Sequence, residues 1–127
     1  MLTYKTNDHI IKAGDILYCH FRPFREEDHY IHYSKRTPED HILTLFVEEQ
    51  DGFLIAEDEK GKVFNHVDDG LFMGWDTYDI CFTYGEALRC FHQEQEQLKR
   101  CSDYLRLKHM GRRQQIKETY QAFLNRQ

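Results

Sequence analysis

The stretch from Thr83 to His109 is the longest run in this chain with a single unbroken periodicity, and it limits the fold more than any other feature. Tyr84, Ala87, Leu88, Phe91, Leu98, Cys101 and Leu105 recur at helical spacing and trace one stripe, while Gln, Glu, Lys and Arg fill the other faces. Thr83 with Glu86 three residues later has the form of a capping box, which fixes the helix start. Gly111 reads as its end, and Ile116, Tyr120, Phe123 and Leu124 form a second, shorter periodic set. The expectation is a long amphipathic helix followed by a short one, the two folding back as a helical hairpin. A helix of the 27 residues from Thr83 to His109 is roughly 40 Å long. A small sheet domain covers only part of such a length, so either the second helix or another molecule must cover the remainder.

Ahead of the helix the chain reads as strands. Lys12 to Asp15 is a turn leading into Ile16 to Arg22, a run of strand formers stopped by Pro23. Arg25 to Asp28 is charged loop, Tyr30 to Tyr33 a short strand, and Lys35 to Asp40 an exposed turn. Ile42 to Val47, Phe53 to Ala56, and Val63 with Phe64 form a meander through the turns at Gln50 to Gly52 and Glu59 to Gly61. Asp51 and Gly52 suit a tight hairpin, because both residue types tolerate positive φ. Asp68 to Gly70 turns again, and Leu71 to Met73 and Tyr78 to Phe82 are the last strands expected. Strands followed by helices point to an α+β fold, with a small antiparallel sheet or SH3-like barrel over about residues 10–82. At 127 residues the chain is one domain, with 1–82 an acidic β part and 83–127 a helical part ending in a basic tail.

The charge is unevenly placed. Residues 1–98 hold 9 Lys or Arg against 20 Asp or Glu, a net of -11, while residues 99–127 hold 8 against 2, a net of +6. This asymmetry offers two docking surfaces. An acidic face of Glu48, Glu49, Asp51, Glu57, Asp58, Glu59, Asp68 and Asp69 fits a basic groove of a protein partner. A basic tail of Lys99, Arg100, Arg106, Lys108, Arg112, Arg113 and Lys117, with Tyr104, His109 and Tyr120 nearby, fits nucleic acid. Phe91, Leu98, Cys101 and Leu105 would face a partner helix, and Glu86, Glu94 and Glu96 would meet the later cations in an antiparallel homodimer.

Catalytic signatures are sparse. Cys19, Cys81, Cys90 and Cys101 lack the spacing of a zinc knuckle or redox pair. Cys90 and Cys101 lie roughly 16 Å apart on one helix, so they cannot bridge within it, and reduced, half-buried thiols are expected. Cys19, His20, His29 and His32 offer a metal site only in a turn or helix, since an offset of three on a strand places side chains on opposite faces. Asp68, Asp69, Asp76 and Asp79 around Gly70, Gly74 and Trp75 offer a hard-cation or acid/base cluster, although turn chemistry accounts for Asp68 to Gly70. Cys19 with His66 is the one nucleophile pairing to consider. No phosphate loop, dinucleotide fingerprint or serine elbow is present, so no cofactor is expected. No apolar run approaches the roughly 20 residues of a membrane span, and the first ten residues lack the apolar core of a secretory signal, so a cytosolic protein is expected.

Ile80 to Ala87 resembles the strand-into-helix junction of small phage-type proteins, in which a strand ending Phe-Leu-Thr enters a helix opening Arg-Glu-Glu-Ala. Thr83, Glu86 and Ala87 match that pattern, while Cys81 and Gly85 depart from it. The resemblance implies a fold element and no activity. The reading that joins these features is a small non-enzymatic binding or regulatory protein that docks on a macromolecule, in the manner of a phage or mobile-element accessory factor inhibiting or redirecting a host complex. Nucleic-acid binding by the basic helices is the first alternative, and a small metal-dependent or Cys/His enzyme the second.

Overall fold

The computed structural model describes residues 1–22, 32–72 and 77–125. The architecture is α+β: a curled five-stranded antiparallel sheet, a two-stranded ribbon, short helical turns and one long helix. The ribbon pairs β1 (Thr3–Lys5) with β2 (Ile10–Lys12), placing Tyr4 opposite Ile11. The main sheet contains β3 (Ile16–Phe21), β4 (Ile42–Gln50), β5 (Phe53–Glu57), β6 (Val63–His66) and β7 (Tyr78–Cys81) in the order β6-β5-β4-β3-β7. The hairpin between β4 and β5 turns at Asp51 and Gly52, with φ of 54° and 82°. That is the tight turn expected of an Asp-Gly pair, because glycine adopts the left-handed region without a Cβ clash.

Alternation along the strands gives the sheet two unlike faces. Leu17, Cys19, Leu45, Val47, Leu54 and Ala56 project to the concave side and form the core with Ile11, Val67 and Leu71. The ribbon and α2 (Asp69–Phe72) close that side, with Tyr4 stacked on Phe72 at 5.5 Å. The outer face carries Tyr18 and His20 of β3 beside Cys81 and Asp79 of β7, and the first half of the long helix packs there.

Three local expectations are corrected. Leu71 and Phe72 belong to the helical turn α2 rather than a strand, because the Asp68 carboxylate accepts the Gly70 N-H at 2.9 Å and the Leu71 N-H at 3.3 Å and so caps a turn; Met73 lies outside the described residues. Tyr33 opens a 3-10 turn, Tyr33–Lys35, instead of ending a strand, and residues 30 and 31 lie outside the described residues. The exposed turn expected at Lys35 to Asp40 contains α1 (Pro38–His41), where Pro38 occupies the first turn with a backbone already set for the helix and no N-H of its own to satisfy.

The largest difference concerns the long helix. α3 runs from Tyr84 to Asn125 as a single element of 42 residues, and Gly111 neither ends it nor bends it back. Glycine in a helix interior costs only ~1 kcal/mol, and the residues that follow, Arg112, Arg113, Gln114 and Gln115, are good helix formers. The expected hairpin is therefore a rod roughly 63 Å long. Its start is as expected: Thr83 Oγ1 accepts the Glu86 N-H at 3.1 Å, and the Glu86 carboxylate reaches back to the Phe82 N-H at 3.2 Å, one residue before the usual partner.

Candidate functional site

Two halves of α3 meet different surroundings. Ala87, Phe91, Glu94, Leu98 and Ser102 are buried, and they follow the spacing of one helical stripe. The chain's own sheet and turns cover them. Tyr84 lies edge-on to Tyr18, and Phe91 lies edge-on to His20. The Arg36 guanidinium sits 4.9 Å above the Phe91 ring and donates to the Gln95 side chain, which in turn donates to the Tyr33 carbonyl at 2.9 Å. Phe91 and Leu98, which the sequence pattern assigns to a partner helix, are instead buried within the chain itself, Phe91 against His20, His41 and Arg36. Cys101 and Leu105 are half-buried at the boundary.

From residue 103 onward the helix stands off the body as a stalk roughly 34 Å long. Apart from half-buried Leu105, its described side chains are exposed, including Tyr104, Leu107, Met110, Tyr120, Phe123 and Leu124. Its side-chain hydrogen bonds from Gln114 to Glu118, Thr119 to Gln115 and Gln121 to Asn125 run along the helix itself. At ~100° per residue, Leu105, Arg112, Tyr120 and Phe123 continue the stripe that is buried in the first half. Arg112, Gln115, Thr119, Tyr120 and Phe123 line a shallow groove on the stalk.

The basic residues lie along this stalk and its root. Lys99, Arg100, Arg106, Lys108, Arg112 and Lys117 are exposed, Arg100 reaches Glu96 at 3.8 Å, and the Arg113 side chain lies outside the described residues. Because the acidic residues of α3 sit mainly in the docked half, two stalks laid antiparallel would place cation against cation. The opposite-charge pairing expected of a helix homodimer is not offered by the exposed halves.

The eight carboxylates of the acidic face do not form one surface. Glu48, Glu49 and Asp51 lie at the β4-β5 hairpin end, and the Val67 N-H bonded to the Leu54 carbonyl at 2.9 Å brings Asp68 and Asp69 toward that end. Glu57, Asp58 and Glu59 lie at the other end of β5. Several are engaged locally: Asp58 accepts the Lys60 and Lys62 N-H groups, Asp68 caps α2, and Asp69 accepts the Tyr4 hydroxyl. The Asp69 bond and burial push the Tyr4 hydroxyl up to about 12.

A surface that sequence reasoning missed lies between those ends. On the outer face Ile16 pairs with Phe46, Phe46 with Glu57, and Glu57 with Val63, while Glu48 flanks Phe46 two residues on. Ile16, Phe46, Phe53 and Val63 are all more than one-third exposed. Strand alternation carried this signal, since Phe46, Glu48 and Gln50 share one face of β4.

The residues weighed for catalysis do not assemble. Cys19 is in the core, whereas His66 stacks edge-on against Phe53 on the outer face. Burial, with Cys81 and Asp79 nearby, pushes the Cys19 thiol up to about 12, which removes thiolate at neutral pH. Cys81 is pushed up to about 12 as well, by burial and by Cys90, whose sulfur lies 3.9 Å away. Cys19 and His20 project to opposite faces of β3, His32 is exposed, and His29 and Asp76 lie outside the described residues. Asp79 faces the helix side, away from Asp68 and Asp69, holding His20 Nδ1 at 3.2 Å and the Arg22 guanidinium at 3.1 Å. Among the described residues no group of three His, Cys, Asp or Glu could hold a metal ion, and no helix is long and apolar enough to cross a membrane.

Searches against protein-family models, curated proteins and solved structures return no match to this chain.

Proposed function

We propose that this chain is a binding or regulatory protein that acts by docking on another macromolecule, through the stalk and the acidic outer sheet face, without turning over a substrate. One observation carries the reading: the apolar stripe of α3 is buried as far as Ser102 and then continues uncovered along the stalk. An isolated helix of this length is marginal in water, and its exposed apolar side chains gain nothing from solvent. A surface that completes the burial stabilises both. Exposed Leu107 and Met110, which add apolar surface to the cations of the stalk, favour a protein surface over a phosphate backbone, which rewards charge alone. Such docking would let the chain inhibit or redirect the complex it joins.

The test is sedimentation of the chain in extract of its native cells, beside a version ending at Ser102. The full chain is expected to travel in a species larger than its 15.4 kDa, and the truncated body to remain folded and travel alone. A full chain that sediments as a monomer, or a truncation that changes nothing, overturns the reading. Loss of the larger species on nuclease treatment transfers the assignment to nucleic acid.

A further inference from the structure

The outer sheet face is only half used by its own helix. The β3-β7 side lies under the docked half of α3, while toward β4, β5 and β6 the same face leaves Ile16, Phe46, Phe53 and Val63 more than one-third exposed, beside a buried Ile55 and the carboxylates of Glu48 and Glu57. The helix is likewise half used. Its docked stripe fits this face of this sheet, and the same stripe continues along the stalk through Leu105, Arg112, Tyr120 and Phe123. The two leftover surfaces match in chemistry, one apolar and acidic, the other apolar and basic. A chain that carries -11 in its first 98 residues and +6 in the rest holds both halves of a complementary pair.

We infer that two copies of this chain associate reciprocally, the stalk of each lying on the exposed outer sheet face of the other around Ile16, Phe46, Glu48, Phe53, Glu57 and Val63. This rests on the docking reading and names the partner. Two identical contacts related by a twofold axis close the assembly, so no further copies add. Reciprocity doubles the contact, because each copy gives one stalk and receives one, and a single stalk on so small a sheet falls well short of a standard stable interface. Arg112, on the stripe side of the stalk, is the cation placed to meet Glu48 or Glu57, and Lys108 lies one turn before it, about 40° around the helix.

Sedimentation velocity on the purified full chain tests this with two charge-reversed variants. One carries Arg112→Glu and Lys108→Glu on the stalk, and the other carries Glu48→Lys and Glu57→Lys on the sheet. The wild type is expected to be a dimer at tens of micromolar that weakens as salt rises. Each variant alone should weaken association by about tenfold or more, with an unchanged thermal midpoint of the dilute monomer. An equimolar mixture of the two should restore the dimer, because each reversed surface then meets a reversed counterpart. A monomeric wild type overturns the inference, as does a dimer indifferent to the sheet variant, which would be stalk against stalk. A monomer in purified form beside a larger species in cell extract ends the reciprocal dimer and leaves docking on another protein standing; a monomer in both ends the two together.

Discussion

The two halves of α3 have the same secondary structure and carry the same stripe, yet one is buried against the body and the other is exposed along nearly all of its described length. Between Tyr84 and Ser102 the stripe meets Tyr18, His20 and the turn around Arg36, and its side chains leave water. Beyond Ser102 equivalent positions hold Leu105, which is half-buried, and Tyr120 and Phe123, which are exposed. Helical periodicity therefore reports which side of a helix needs cover. It does not report whether the same chain supplies it.

The sharpest way to measure that difference is to remove one ring from each half. Phe91→Ala leaves a cavity between His20, His41 and the Arg36 guanidinium, all of which pack on that ring. A loss of about 3–5 kcal/mol is expected in urea unfolding of the dilute chain. Phe123→Ala removes a ring that is 57% exposed and should change the same measurement by ~0.5 kcal/mol or less. Equal losses would mean that the stalk packs on the body in solution, and the contrast between the halves would be gone.

Much of this contrast could be read in the sequence, and the missing part has a physical cause. The meander, its Asp-Gly hairpin, the Thr83 cap and the α+β order follow from local chemistry, and local chemistry was enough to place them. Leu71 and Phe72 read as strand formers, but the Asp68 side chain captures two backbone donors and turns them into a helix. Gly111 reads as a stop signal, yet a helix cap requires a chain reversal after it, and nothing beyond Gly111 favours one. The acidic face failed as a single surface because sequence neighbours at the two ends of β5 sit at opposite ends of a strand. The open outer patch depends on which face of the sheet the helix leaves bare, and pairing register alone decides that.

The docked half also contains a titratable contact that the stalk lacks, and acid should separate the two. His20 is fully buried beneath Phe91, its Nδ1 faces Asp79, and its Nε2 has no hydrogen-bond partner among the described residues. Burial lowers its pKa from the ordinary 6.5; Arg36 pushes the same way, while Asp79 and Glu94 oppose. Below pH 6.5 the unfolded chain therefore takes up a proton that the folded chain refuses. Stability from this site is whole above that pH and declines as pH falls toward the depressed folded value. Urea midpoints should drop on acidification through this window, less steeply in His20→Gln, and the drop should be smaller than the loss caused by Phe91→Ala. An identical slope in both proteins would assign the pH dependence elsewhere.

The smallest effect decides the shape of the free half, because its sign differs between two geometries. In a continuous helix Gly111 adds backbone freedom and buries nothing, and a Cβ built there meets no atom within 4 Å. Gly111→Ala should then stabilise the stalk by ~0.5–1 kcal/mol, seen as a gain in helical circular dichroism and slower amide exchange around residue 111, with the unfolding of the body unchanged. If the chain instead reversed at Gly111, that residue would occupy the left-handed position of a helix C-terminus. Alanine there is disfavoured by a comparable amount, so helicity would fall. A gain supports the rod on which reciprocal docking depends, and a loss restores the hairpin, since a stalk folded back at Gly111 would be too short to span the β4-β5-β6 face of a second copy.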